Sequence, residues 1–421
     1  MTPRHASSGR ARAVRHARGT RRHPLRFALA LALVGVMSFA GTGAATAYLR
    51  LQGNIDSADV DDLLGEDRPE AAPADPNDPA QGTALNILVM GTDTRDGIEE
   101  MEGDGESGQR SDTTIVVHVS ADRQRVELVS IPRDSLVEIP SCTRSDGSTS
   151  YAQSNAMFNS AFVIGSQSGE TTDAAACTIR TVEQNTGVRI DEFVVVDMAG
   201  FIDMVDALGG VPICLPEPIN SPKANNLVLE AGQQTLDGNT ALNYARARTG
   251  VGLDGSDTGR INRQQRLIAA TANSVLSKNL LTDVPELVRF LNAVTRSLTV
   301  SEGISSIPDL TGLAFSLRNV PSGNITFMTI PFGAAPSDPN RVVWTPEAAD
   351  VWARIAEDRP LQDEEPAAPE PTEDQGGAGT DDGTAPPADT PAPEQTEEPE
   401  ETVDVEDRDL FNAADLETVC G

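Results

Sequence analysis

One run limits everything else in this chain. Phe27–Tyr48, "FALALALVGVMSFAGTGAATAY", holds 22 residues without a charge. A helix of about 20 such residues spans a bilayer. Arg21, Arg22 and Arg26 precede it, and a basic flank stays cytoplasmic. Residues 1–26 then read as a basic cytoplasmic tail and 27–48 as a transmembrane signal-anchor helix. The alternative is a cleaved signal peptide, because "ATA" at Ala45–Ala47 has the A-x-A form. The run is longer than the apolar region of such a peptide, which favours the anchor. Both readings place the chain beyond Arg50 outside the cell membrane.

Two further stretches confine the folded body. Residues 49–83, including "NIDSADVDDLLGEDRPEAAPADPNDPAQG", read as a flexible acidic linker. Residues 359–403 are rich in Pro, Glu and Gly, too poor in apolar side chains to build a core. The body is therefore expected at 84–356. Residues 357–421 form an acidic tail whose last stretch, "DLFNAADLETVCG", regains apolar character and is expected to dock back. The formal net charge of −32 belongs largely to these flanks, and the body is only mildly acidic. A nucleic-acid-binding domain is normally basic. Charge and export together exclude nucleic acid as a partner.

The four cysteines suit an oxidising compartment. Cys142 with Cys177 and Cys214 with Cys420 are the favoured pairs; a free Cys420 is the alternative. No cysteine pair has zinc-ligand spacing.

Within the body, strand and helix patterns alternate. "ALNILVMG" is a short apolar run ending in glycine. "TTIVVHVSADRQRVELVSIP" is two β-rich runs about a polar turn, a hairpin signal. "DEFVVVDM" and "NITFMTI" are further strands. "AGFIDMVDALGG" is a helix closed by a glycine pair, and "LTDVPELVRFLNAVTRSL" is an amphipathic helix with Pro285 in its first turn. The expected fold is α/β: a mixed central sheet sandwiched by helices, α-β-α, in a single exported domain behind the membrane helix.

Charge gathers in two places. From Tyr244 to Arg266 there are five arginines and two aspartates. "ALNYARAR" alternates as a strand would, which would project Arg246 and Arg248 to one face. A glycine-rich loop comes next, then Ser256 or Asp257 as a cap. A helix begins there, with Ile261, Ile268 and Val275 marking its buried side. Arg260 and Gln264 share a face, with Arg263 beside them. Arginines at a helix N-terminus suit an anion with several oxygens, such as a diphosphate. A solvated arginine face paired with Asp254 and Asp257 is the bland alternative. The second cluster sits at strand ends: Asp93 and Arg95, then Arg110, Ser111 and Asp112, then Arg133 and Asp134. The carboxylates of Asp93 and Asp112 suit Mg²⁺ or Mn²⁺ that also holds phosphate oxygens. A turn aspartate and a strand-capping aspartate are the alternative there.

The blocks "NILVMGTDTR", "RSDTTIVV", "SIPRDS", "VDALGGV", "LNYARAR" and "GSDTGRINRQQR", in that order, resemble the LytR-CpsA-Psr family. The resemblance covers most of residues 85–277. It implies a membrane-anchored phosphotransferase. The donor would be a glycan on a polyprenyl diphosphate, the acceptor a peptidoglycan hydroxyl, and the glycopolymer a teichoic acid, capsule or arabinogalactan. It implies Asp93 and Asp112 as metal ligands. It implies Arg95, Arg110, Arg133, Arg246, Arg248, Arg260, Arg263 and Gln264 as the diphosphate-binding set, oriented by Asp257, with Arg133 also catalytic. Asp93 or Asp134 would take the acceptor's proton. The lipid would need an apolar slot, for which Phe201, Met204, Leu208 and Phe290 are candidates; ordinary core is the alternative for each. Rival functions are a polyprenyl-diphosphate phosphatase and a non-enzymatic envelope regulator or lipid-binding scaffold.

Overall fold

The computed structural model describes residues 24–71, 82–92, 109–277, 284–362 and 411–413. Helix α1 (Pro24–Gln52) runs for 29 residues without a break. It is long and apolar enough to cross a membrane. From Leu51 onward the chain forms a separate compact unit.

That unit begins with β1 (Asp56–Ala58), α2 (Asp61–Leu64) and β2 (Leu85–Thr92). The hairpin β3 (Ser111–Val119) and β4 (Val126–Ile131) is next, then β5 (Leu136–Ile139), β6 (Gln153–Met157), α3 (Ser160–Gly165) and α4 (Thr171–Thr186). After these come β7 (Glu192–Val196), α5 (Met198–Ala207) and four short strands: β8 (Val211–Leu215), β9 (Ile219–Ser221), β10 (Leu227–Leu229) and β11 (Gly232–Leu236). Three helices succeed them: α6 (Gly238–Arg246), α7 (Asp257–Ser277) and α8 (Val284–Arg296). The body closes with β12 (Leu298–Ser301), α9 (Ile307–Leu317), β13 (Ile325–Thr329), β14 (Phe332–Ala335), β15 (Asp338–Trp344) and α10 (Glu347–Ala356); β16 (Phe411–Asn412) lies far along the chain.

The main sheet has the order β1-β12-β7-β2-β3-β4-β13-β16 among the described residues. It is mixed: β2 pairs antiparallel with β3 and parallel with β7, and β4 pairs parallel with β13. Alternation along the strands feeds two cores. Leu88, Met90, Val116 and Val129 pack under α4 and α10. Ile115, Val119 and Leu128 face the other way, toward Ala269 of α7. Helices thus cover both faces, the α-β-α sandwich expected from sequence. His118, fully buried in β3, meets Asn86 Oδ1 at 2.7 Å and Asp358 Oδ1 at 3.1 Å.

Three stretches depart from the expectation. Residues 49–83 are not all linker: β1 pairs parallel with β12, and Ala58, Val60 and Leu64 are buried. Arg68 bonds Glu183 at 2.7 Å and the Ile190 carbonyl at 2.6 Å. A few well-placed apolar residues suffice to add an edge strand, and average composition hid them. Residues 357–362 also belong to the body. The Asp358 carboxylate accepts from Arg125 Nη2 at 2.8 Å, and the Leu361 amide donates to Glu127 Oε1 at 2.8 Å. The third departure is "ALNYARAR", which is helix α6 up to Arg246 rather than a strand. Asp237 caps it, accepting from the Thr240 amide at 2.8 Å. Ala241, Leu242 and Tyr244 are buried. Three to four apolar residues in a short stretch satisfy either period, and the cap decided for the helix.

Cys142 and Cys177 form the expected disulfide, tying the segment after β5 to α4. Cys420 lies outside the described residues, and with it the expected pairing with Cys214. The docking of the last stretch is described at residues 411–413: β16 pairs with β13, and Phe411 stacks on Phe327 at 5.0 Å.

Candidate active site

The site is built on the start of α7. Ser256 Oγ accepts from the Gly259 amide at 2.9 Å, so Ser256 is the cap. Asp254 in turn bonds the amide and hydroxyl of Ser256. A Cβ on Gly259 would meet the Asp254 carboxylate, which would have to move. Gln265, fully buried, donates to Ser130 Oγ at 2.8 Å and to the Met328 carbonyl at 3.0 Å. That fastens α7 to β4 and β13 and fixes which way its arginines point.

Arg133, two residues beyond β4, is the hub of the charge array. Its Nη1 donates to Asp112 Oδ1 at 2.7 Å. Its Nε lies 3.7 Å from Asp134 and 3.8 Å from Asp257. Arg341 of β15 donates to Asp134 at 3.1 Å. Arg260 lies 2.6 Å from Asp257 Oδ1, but the geometry is not that of an aligned hydrogen bond. Both Asp257 oxygens, and Nε and Nη2 of Arg260, have no hydrogen-bond partner. Arg260 is only 5% exposed. A buried guanidinium in that state is costly.

The ionisation balance is set by the packing. Burial pushes the Asp112 carboxyl up, but the combined pull of Arg133, Arg260 and Arg246 prevails and holds it below its ordinary value. Burial lowers Arg133, and Asp112, Asp257 and Asp134 more than restore it. Asp257 and Arg260 go the other way. Burial outweighs their mutual attraction and drives each toward its neutral form.

Beside it lies a cavity of about 430 Å³ between the sheet and α5, α6 and α7. Its walls are apolar: Val89, Ile115, Val117 and Leu128 from the sheet, Phe201 and Met204 from α5, Leu267 and Ile268 from α7. Asp112, Arg246 and Gln264 supply polar groups to the same wall. The cavity is a greasy slot with charge on its lining.

The structure brings together Asp112, Arg133, Asp134, Arg246, Asp257, Arg260 and Gln264. Arg246 ends α6, where its Nη1 lies 3.8 Å from Met198 Sδ. Arg248, in the coil after α6, donates to the Gly255 carbonyl at 3.1 Å and acts on Asp257 and Arg260 through its charge. The two arginines therefore do not share a strand face. Arg110 is exposed, immediately before β3. Arg263 turns away: it donates to the Ala247 carbonyl and lines a different cavity. Phe201 and Met204, candidates for a lipid slot, line this cavity. Leu208 is fully buried in a core cluster, and Phe290 packs against that cluster. Neither lines the slot. Ile268 and Val275, expected on the buried side of α7, pack against core clusters and also line the slot. Asp93 and Arg95 lie outside the described residues. Sequence reasoning missed Arg341 and Gln265. Arg341 comes from a strand with no charge pattern of its own, and Gln265 was one polar residue among several on α7.

A mixed-sheet sandwich with an arginine-bordered apolar slot defines a class of protein, and likeness to known proteins identifies it. The LytR_cpsA_psr family model matches residues 47–355. The chain belongs to that family. It is 31% identical to the cell wall biosynthesis protein LcpA of Corynebacterium glutamicum over 59% of this chain and 50% of that protein. It is 30% identical to the polyisoprenyl-teichoic acid–peptidoglycan teichoic acid transferase TagU of Oceanobacillus iheyensis, over 49% of this chain and 57% of that one. The chain thus spans about half the length of these curated relatives. A LytR-Csp2A-Psr enzyme from Actinomyces oris superposes with a TM-score of 0.51 at 22% identity, covering 72% of this chain and 96% of that one. That likeness is one of fold.

Proposed function

We propose that this chain transfers a cell-wall glycopolymer from a polyprenyl-diphosphate carrier to a peptidoglycan hydroxyl. The product would be a phosphodiester, and polyprenyl phosphate would leave. One observation carries this reading: buried Arg260, lacking hydrogen-bond partners on two nitrogens, stands in the array that includes Asp112, which lines an apolar slot. An amphiphile with an anionic head and an apolar tail matches both parts. The names of the relatives LcpA and TagU favour a cell-wall donor and acceptor.

In this reading the slot takes the polyprenyl chain, and Arg246 and Gln264 meet the diphosphate at its lining. Arg260 and Arg133 neutralise charge that develops on the phosphate oxygens as the acceptor oxygen bonds to the sugar-linked phosphorus. Arg248 and Arg110 supply longer-range positive charge. Asp134 is held by Arg341 and Arg133, so it serves to position Arg133. Asp93 or Asp134 would take the acceptor's proton. Mg²⁺ or Mn²⁺ would be held by Asp112 and Asp93 together with phosphate oxygens. Asp112, kept ionised, is a hard oxygen donor, and such ions take one or two carboxylates plus substrate phosphate. When bound, the ion would offset phosphate charge. Helix α1 would anchor the enzyme with residues 1–26 in the cytoplasm and the body outside.

The test is product capture. Full-length chain in detergent, given a glycan-linked polyprenyl diphosphate and peptidoglycan, should yield a glycan–peptidoglycan phosphodiester detectable by mass spectrometry. Release of free glycan phosphate without that product would make the enzyme a phosphatase. Lipid binding with no turnover would make it a scaffold.

A further inference from the structure

A second cavity, of about 530 Å³, borders the same helix. Gly259, Asn262, Arg263 and Arg266 of α7 line it, at i, i+3, i+4 and i+7. Gln264, Leu267, Ile268 and Thr271 line the lipid slot with the same spacing. The two sets are offset by five residues, so they occupy faces roughly 140° apart. One helix therefore separates an apolar slot from a polar chamber, and Arg260 stands in the first turns between them.

The chamber is built rather than left over. Its outer wall is the loop after α6. That loop is pinned by a bridge in which Asn220 and Val251 exchange amide hydrogen bonds at 3.1 and 2.9 Å. Gly252, at φ +71°, sits so close to the Pro218 carbonyl that no side chain would fit. Buried Leu215, Ile219 and Tyr244 back the chamber, and Pro216 and Leu253 give it less buried apolar surface. Into it comes Arg263, 9% exposed, whose Nε has no hydrogen-bond partner. Among the described residues no carboxylate lies within ion-pair distance of Arg263. Asn262 and Arg266 add donors, Glu217 adds an acceptor, and the Asp254 carboxylate, also on the lining, is engaged by the amide and hydroxyl of Ser256.

We propose that this chamber is a carbohydrate subsite for a sugar ring bearing an anionic substituent. The ring's apolar face would lie against Pro216 and Leu253. Arg263 and Arg266 would take the carboxylate or phosphate, and Glu217 would accept from a hydroxyl. The size suits a small-molecule ligand. Mixed donors and acceptors above an apolar floor suit a sugar and reject a lipid chain. The inference rests on the proposed transfer reaction only for the source of the sugar. A muramyl carboxylate would come from the acceptor, and a sugar phosphate from the donor glycan.

Two probes separate these sources: the N-acetylglucosaminyl–N-acetylmuramic acid disaccharide, and N-acetylglucosamine 1-phosphate. Each is titrated calorimetrically into full-length chain in detergent micelles. At least one should bind. Arg266→Gln and Glu217→Gln should each weaken it by about tenfold, the effect of losing one charge-assisted hydrogen bond. Both variants should keep the wild-type melting temperature, and Arg246→Ala should keep sugar affinity. Tighter binding of the disaccharide assigns the chamber to the acceptor; tighter binding of the phosphate assigns it to the donor. The proposal is overturned if neither probe binds, if both chamber variants bind as wild type does, or if Arg246→Ala abolishes sugar binding. Loss of the transfer reaction with sugar binding intact would sink the proposed function and leave the chamber standing.

Discussion

At the scale of single residues, the proposed reaction turns on Arg260 and Asp112. Arg260 is buried beside Asp257 without satisfying hydrogen bonds, so an incoming phosphate would supply what the fold withholds. Arg260→Ala should therefore cut turnover by roughly 10²- to 10³-fold, the usual effect of losing a group that stabilises developing charge. Steady-state release of polyprenyl phosphate measures this. Asp112 makes a separate prediction through pH. Its folded pKa lies below the unfolded one, so its contribution to stability is present above the ordinary carboxylate value. It is lost as pH falls through the lower folded value. Asp112→Asn should lower the melting temperature near neutral pH, and the difference should close in strong acid. Thermal melts across pH would show a constant gap if the carboxylate were uninvolved. The residue types of the site were legible in the sequence, because aspartate and arginine recur at strand ends and at a helix start. Their orientation was not. Arg263 and Gln264 are adjacent in sequence and so project about 100° apart on the helix; the bonds of Gln265 to β4 and β13 set which cavity each one lines.

At the scale of elements, the strands were the most readable part. β2, β3, β4 and β7 carry continuous or alternating β-branched runs bounded by turn residues, and that pattern has few alternatives. The segment before α7 misled because "ALNYARAR" fits both periods, and its fate depended on the cap at Asp237, upstream of the quoted run. Asp237→Ala should destabilise the body by about 1 kcal/mol through loss of the cap. Because α6 carries Arg246, it should also weaken diphosphate binding; unfolding in urea and a lipid-binding titration measure the two. β1 was hidden inside an acidic stretch, since three residues with two buried neighbours leave little trace in composition. The disulfide joins Cys142 to Cys177 across 35 residues. Closing a loop of that size restricts the unfolded chain, so Cys142→Ser with Cys177→Ser should cost about 3–4 kcal/mol, read from the urea midpoint.

For the molecule as a whole, charge and greasiness are sorted by region. The acidic excess lies in the flanks, the uncharged run Phe27–Tyr48 lies within the first helix, and arginines gather about the start of α7. Such a division suits an enzyme that meets a lipid-linked anion at a membrane surface. The sequence announced the apolar run and the arginines. It did not announce the slot, because a cavity between a sheet and three helices belongs to packing and leaves no local pattern. Val89, Ile115 and Ile268 look like core residues until the gap between them is seen. The central claim is that this slot holds a polyprenyl chain with its diphosphate at Arg260. The most direct measurement is a crystal structure of the protein soaked with a polyprenyl diphosphate and Mg²⁺. The isoprenoid should lie between Ile115, Phe201 and Ile268, with phosphate oxygens within hydrogen-bond distance of Arg260 and Arg246. A lipid bound elsewhere, or a diphosphate that leaves Arg260 untouched, would contradict the claim.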